Sequence, residues 1–502
     1  MLKTLLLALA LLIPAHAFAG EVEEQALAAL VRDYEAFVRA DDPITAAMDG
    51  DAASQARMPD VTPAADAVRR VSLRAFQERL RGIEPAGLSE ESRLNHDFLD
   101  FVLKDGLEGL AFDEARMPFS NDSGFHTMMP YVASITPIDT EADAEAYVRR
   151  LEALPEYWEA SQANAARGAA AGFSQPRETA LLVLAQVQKQ AAVPVKDDGL
   201  LAPLATLPAS MAPDRQAALR DRAMEAVAAL REQQNAFAGF LENTYLPAAR
   251  SGIGVSTATG GREYYDWLVR RYTTTSRTPD EVHEIGLAEV ARIRAQMETT
   301  MREAGFAGTF PEFLAFLRSD PRFYAQTPED LLEKASEIAK RIDDKLPRFF
   351  GLLPRLPYGV RPVPADIAPD YTTGRYFQGS PAQGVAGGYM VNTYKLDQRP
   401  LYELPALTLH EAVPGHHLQI ALAQELEDVP AFRRNSLMTA YVEGWGLYAE
   451  ELGGMMGIYR DPYERFGRLS YEMWRACRLV ADTGIHWKGW TIEEARACFA
   501  EN

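Results

Sequence analysis

Apolar residues recur at helical spacing through almost the whole chain, and that pattern fails over one long stretch, residues 353–400, where Pro, Gly, Tyr and Thr crowd together. A chain rich in Ala, Leu, Glu, Arg and Gln with such spacing can only bury its apolar stripes by packing helix on helix. The fold class expected is therefore mainly α. Helices are predicted over 22–39, 90–107, 143–166, 214–245, 279–304 and 328–345. Two of them open on Thr278-Pro279-Asp280-Glu281 and Thr327-Pro328-Glu329-Asp330, where Thr can cap free amides and Pro suits the first turn. Inside the exceptional stretch, Gly388-Tyr389-Met390-Val391-Asn392-Thr393-Tyr394 has strand-like content and predicts a small sheet. Its strand from Tyr389 to Thr393 is expected to be either an edge that holds an extended peptide or a plain connecting strand.

With 502 residues the chain can bury a large core and is expected to form two lobes, 20–255 and 256–502, divided where Gly, Ser and Thr cluster near 252–262. The formal charge of −20 argues against nucleic acid and anionic membrane surfaces as partners. Lys3, an apolar run over 5–13 and Ala17-Phe18-Ala19 read as a signal peptide over 1–19, so export to the periplasm or medium is expected. No Cys follows the cleavage site, which predicts a product without a lipid or membrane anchor. Cys477 and Cys498 are the only cysteines. They can form one bond, not a disulfide framework.

Three of the eight histidines fall within His410-Glu411-Ala412-Val413-Pro414-Gly415-His416-His417, followed by Glu443 in Tyr441-Val442-Glu443-Gly444-Trp445-Gly446. Two imidazoles and a carboxylate are the ligands of a catalytic zinc site that keeps one position for water, and an adjacent Glu can take that water's proton. The usual helix spaces its histidines four apart. Here His416 is six from His410, about 120° round an unbroken helix, and His417 at seven is within about 20°. Pro414 and Gly415 should interrupt the helix at 413–415, and a two-residue bulge would bring His416 to the second ligand's place. His417 remains a competitor on spacing alone. Residues 418–427 would finish that helix, and a second, opened by Asp428 and Pro430, would return Glu443. Gly444 and Gly446 then suggest a close helix approach, and Glu450, seven residues on, could orient a ligating His. His283-Glu284 imitates the start of the common motif but has Leu287 where the second His belongs, so it reads as an ordinary surface helix.

These residues resemble the bacterial DUF885 proteins, which are similar to zinc peptidases with a Glu ligand. The likeness covers most of the mature chain. It rests on residues 388–393, 410–416 and 443–450, and on Asp482-Thr483-Gly484-Ile485-His486 with Gly489-Trp490. It implies His410, His416 and Glu443 as Zn2+ ligands, Glu411 as general base, and a two-lobed helical fold with a deep cleft, similar to oligopeptidases. Similar proteins often carry another residue at the place of His417, and they continue past the equivalent of Asn502 with a Trp-Pro-Gly-Gln-type motif, so a missing C-terminal segment is expected.

The activity expected is zinc-dependent hydrolysis of small peptides. The metal brings the pKa of a bound water toward about 7 and Glu411 takes its proton. Candidates for donors to the oxyanion are His486, Tyr389 and Arg478, although Arg478 and Asp482, four apart, can instead pair. Two rivals are a non-catalytic exported protein that binds peptides or envelope partners around a structural zinc, and a hydrolase of non-peptide amides or esters.

Overall fold

The computed structural model describes residues 15–365, 368–381 and 384–502, so most of the expected leader over 1–19 lies outside them. The fold is mainly α with one small sheet. No helix among the described residues is long and apolar enough to cross a membrane.

The chain divides into two compact units, Met1–Ile253 with Thr257–Gly260, and Gly254–Ser256 with Gly261–Asn502. In the first, Glu141–Ala171 packs on Pro213–Phe240. Their shared face buries Leu151, Leu154, Val227 and Leu230, and Trp158 meets Phe237 edge-on at 6.0 Å. Each such side chain removed from water is worth about 1.5–3 kcal/mol. The predicted helix over 214–245 ends its regular turns at Phe240 and finishes as one wider turn, Leu241–Tyr245.

In the second unit the longest pairing is between Pro279–Glu303 and Pro462–Thr483. The Thr278 hydroxyl accepts the Glu281 N–H at 3.2 Å while Glu281 accepts the Thr278 N–H at 2.8 Å, a reciprocal cap. Thr327 caps Pro328–Asp343 in the same way from one side. His283 sits on the inner face of its helix: it is buried, with Nδ1 2.8 Å from the Thr483 hydroxyl, so the reading of this segment as surface is corrected. A disulfide joins Cys477 to Cys498 across a Cα separation of 5.7 Å and ties the helix Ile492–Glu501 to Pro462–Thr483.

The sheet has three strands, β1 (Tyr358–Pro362), β2 (Gly374–Phe377) and β3 (Gly387–Val391), in the order β1-β3-β2. β3 pairs parallel with β1 and antiparallel with β2, Tyr389 lying opposite both Val360 and Tyr376. The strand expected to be either a substrate edge or a plain connecting strand is thus the centre of the sheet. Its buried pattern, with Tyr389 and Val391 sealed from solvent, is what a strand covered on both sides requires.

Candidate metal centre

Four helices carry the site: α1 (Leu404–Glu411), α2 (His416–Gln424), α3 (Thr439–Met455) and α4 (Pro462–Thr483). The predicted interruption occurs at residues 412–415, with a cis bond between Val413 and Pro414. A β-carbon at Gly415 would collide with the carbonyl oxygens of His410 and Leu409, so α2 can start this close to the end of α1 only because 415 has no side chain. The helix carrying Glu443 opens at Thr439, not at Asp428 and Pro430, which precede only a short turn, Ala431–Arg434. Asn435 and Ser436, residues that compete for backbone hydrogen bonds, separate the two.

The break brings His410, His416 and Glu443 together, with one ligand atom of each lying within 4.8 Å of the others. His410 Nε2 is 3.5 Å and His416 Nε2 3.8 Å from the Glu443 carboxylate. Bonds of 2.0–2.1 Å to a tetrahedral zinc would set ligand atoms about 3.3 Å apart, and both histidine–carboxylate gaps are already close to that spacing. Two neutral nitrogens and one carboxylate oxygen are a zinc donor set with room for a fourth ligand, and both imidazoles are buried, so the residues fit the ion.

The three groups shift one another's titration. Burial works against charge on His410, but its hydrogen bonds to Glu443 and Glu450 outweigh that and push it up to about 9. Burial, with the His410 charge adding to it, pushes His416 down to about 4, and the His410 hydrogen bond holds Glu443 down at about 2. A cation at the centre would replace the proton that the cluster otherwise holds on His410.

His416 and His417 part at the helix start. His417 is satisfied in the core: Nε2 lies 2.9 Å from the Leu356 carbonyl and Nδ1 3.1 Å from the Tyr376 hydroxyl. The first contact makes Nε2 the donor, so Nδ1 accepts from Tyr376. His416 Nδ1, by contrast, has no hydrogen-bond partner among the described residues. Tyr376 was not singled out by the sequence, and nothing in its neighbourhood of Pro, Gly and Thr marked it. Besides meeting His417, it donates its backbone N–H to Glu411 Oε2 at 2.8 Å. Burial raises the Glu411 pKa, and the charge of His410 works the other way.

Glu450 is fully buried and accepts the His410 Nδ1–H at 2.8 Å. Gly446 allows the approach of α3 to α1: a β-carbon there would lie 2.5–2.8 Å from three atoms of the His410 ring. At Gly444 a β-carbon would meet nothing within 4 Å, so close approach explains one of the two glycines and not the other. The Trp445 indole N–H between them donates to the Pro414 carbonyl at 2.8 Å and pins the interruption to α3.

The oxyanion candidates each have another partner. Tyr389 is sealed in the core, and because the Thr408 hydroxyl donates to the Leu404 carbonyl, Tyr389 spends its own proton on Thr408. His486 accepts the Val255 N–H at 2.9 Å and stacks on Tyr265 at 5.4 Å. The Arg478 guanidinium lies 4.8 Å over the Trp474 ring, and Asp482 takes the Tyr265 hydroxyl at 2.5 Å, so the two do not form the pair their spacing allowed.

Among solved structures, the chain is similar to a candidate lipoprotein from Colwellia psychrerythraea, at 25% identity and a TM-score of 0.87, covering 95% of this chain and 86% of that one. A candidate lipoprotein of unknown function from Shewanella oneidensis shares the fold at 17% identity and a TM-score of 0.69, covering 95% and 89%. No curated protein matches the chain. The family model for bacterial proteins of unknown function, DUF885, matches residues 43–502, and with the His410, His416 and Glu443 cluster inside that span, the chain belongs to the DUF885 family.

Proposed function

We propose that this protein is an exported zinc-dependent hydrolase that cleaves peptides. The observation that carries the reading is the convergence of His410, His416 and Glu443 from three helices, with Glu411 held beside them by the Tyr376 N–H. A bound zinc would supply Lewis acidity and a water of lowered pKa. Glu411 uses one carboxylate oxygen on Tyr376, which fixes its rotamer and leaves the other to take a proton and return it to the leaving amine. A structural site needs no such base. The peptide class is supported by β2, which pairs with β3 on one side only and meets Glu411 through its other edge, where an extended main chain could align. Export is supported by the Cys477–Cys498 bond, which suits an oxidising compartment.

Elemental analysis of the purified chain beside His410→Ala, His416→Ala, Glu443→Ala and His417→Ala tests the site. About one zinc per chain is expected in the wild type and in His417→Ala only. Glu411→Gln should keep the zinc and lose about 10²–10⁴-fold in turnover in a peptide screen with a chelator control. Affinity for peptides without turnover in the wild type would instead make it a binding protein.

A further inference from the structure

We infer that Arg475 is a positioning residue that sets the metal affinity of the centre through Glu450; this rests on the zinc reading above. Glu450 is a carboxylate with no solvent exposure, and such a charge is costly unless paired. Arg475, reaching across from α4, supplies the pair: one guanidinium nitrogen lies 2.9 Å from Oε1 and the other 3.4 Å from Oε2, a two-point clamp on α3.

The same guanidinium nitrogen is 3.1 Å from His410 Nδ1. Nδ1 cannot accept from it, because an unprotonated Nδ1 would then face the Glu450 oxygen at 2.8 Å, acceptor against acceptor. Nδ1 therefore carries the hydrogen and donates it to Glu450, which makes Nε2, the nitrogen facing Glu443 and His416, the one on which a metal would take a proton's place. Arg475 holds the Glu450 carboxylate in place, Glu450 fixes the His410 tautomer, and that tautomer is the one a metal needs.

His416 makes the coupling consequential. With no partner for its Nδ1 among the described residues, it has no carboxylate behind it as His410 has Glu450, so the preorganisation of the two imidazoles rests on the His410 side. The cation that completes that side comes from a helix which supplies none of the three ligands. In the charge count, Arg475 cancels Glu450, while Glu411 and Glu443 balance a divalent ion.

The test is a double-mutant cycle read by zinc affinity, using chelator competition on the full chain. Arg475→Met should weaken zinc by about 10–100-fold, and Arg475→Lys, which keeps charge but loses the clamp, by less. In a Glu450→Gln background, where the amide oxygen still accepts from His410 and needs no counter-charge, Arg475→Met should change the affinity by no more than about twofold. Thermal unfolding with and without zinc separates a purely structural role, which would lower both midpoints equally. Wild-type affinity in Arg475→Lys and in folded Arg475→Met would overturn the inference while leaving the zinc reading intact, and so would equal losses in both backgrounds. A wild-type chain that binds no zinc after reconstitution would overturn both.

Discussion

Each unit buries a histidine against polar partners, and the two are used differently. In the first, His126 is 3.0 Å from the Gln186 amide oxygen and Arg150 donates to the Ser54 carbonyl at 2.8 Å. Both of these acceptors are neutral, and no carboxylate faces either residue in these contacts. In the second, His410 lies between two carboxylates, one of which is clamped by Arg475, while His416 and Glu411 crowd the same point. Burial of polar groups is therefore no sign of a site by itself. Convergence of several ionisable groups that cannot all be satisfied without a further charge is one.

The contrast can be broken most severely at two tightly packed glycines. A β-carbon at Gly446 would press on the His410 ring, and one at Gly168 would collide with the Arg116 carbonyl. Alanine at either should cost about 1–3 kcal/mol in denaturant unfolding. Only Gly446→Ala should also lose zinc; equal zinc in both variants would mean that the close approach of α3 to His410 is irrelevant to the site. Next in size, His126→Ala and His417→Ala should each lose about 1–3 kcal/mol by orphaning their partners, with zinc content unchanged in both. Loss of metal in His417→Ala would exchange the roles of the neighbouring histidines.

A pH series sharpens the comparison at a charge outside the trio. Burial pushes Glu403 up to about 7, with Arg399 opposing. A carboxyl whose folded pKa is raised favours the fold in its protonated form, so that stability is present below about 4.5 and is lost as pH rises through 7. Glu403→Gln should therefore be more stable than the wild type at pH 8, by on the order of 2 kcal/mol, and equal to it at pH 4. The smallest effect is expected at Gly444, where an added methyl meets nothing: Gly444→Ala should gain about 0.5–1 kcal/mol.

What the sequence disclosed follows from how local the cause was. Thr278, Thr327 and the Pro414-Gly415 break act within a few residues of themselves, so capping and interruption were readable, and with them the approach of α3 implied by Gly446. The central place of β3 depends on two strands elsewhere in the chain, one of them, β2, containing no motif. For the same reason Tyr389, whose partner Thr408 is on α1, was read as a catalytic donor although its hydroxyl is spent in the core. Arg475 and Tyr376 carried no signal, because a positioning residue is defined by what it reaches and not by its neighbours. His486 sat in a recognisable motif, and its contacts with Val255 and Tyr265 explain why that motif is compact without placing it at the metal trio.

The interruption between α1 and α2 has a bearing on how such a site can change over time. Because two residues are looped out between the ligands, no single substitution turns this spacing into the ordinary four-residue one; that takes a two-residue deletion. Removing Pro414 and Gly415 would also remove the carbonyl that the Trp445 indole holds, freeing α3 at the moment its Glu443 had to find a new position. The two ligand spacings are thus separated by a gap that gradual substitution does not cross, and lineages carrying one are expected to keep it even where every other residue of the site drifts.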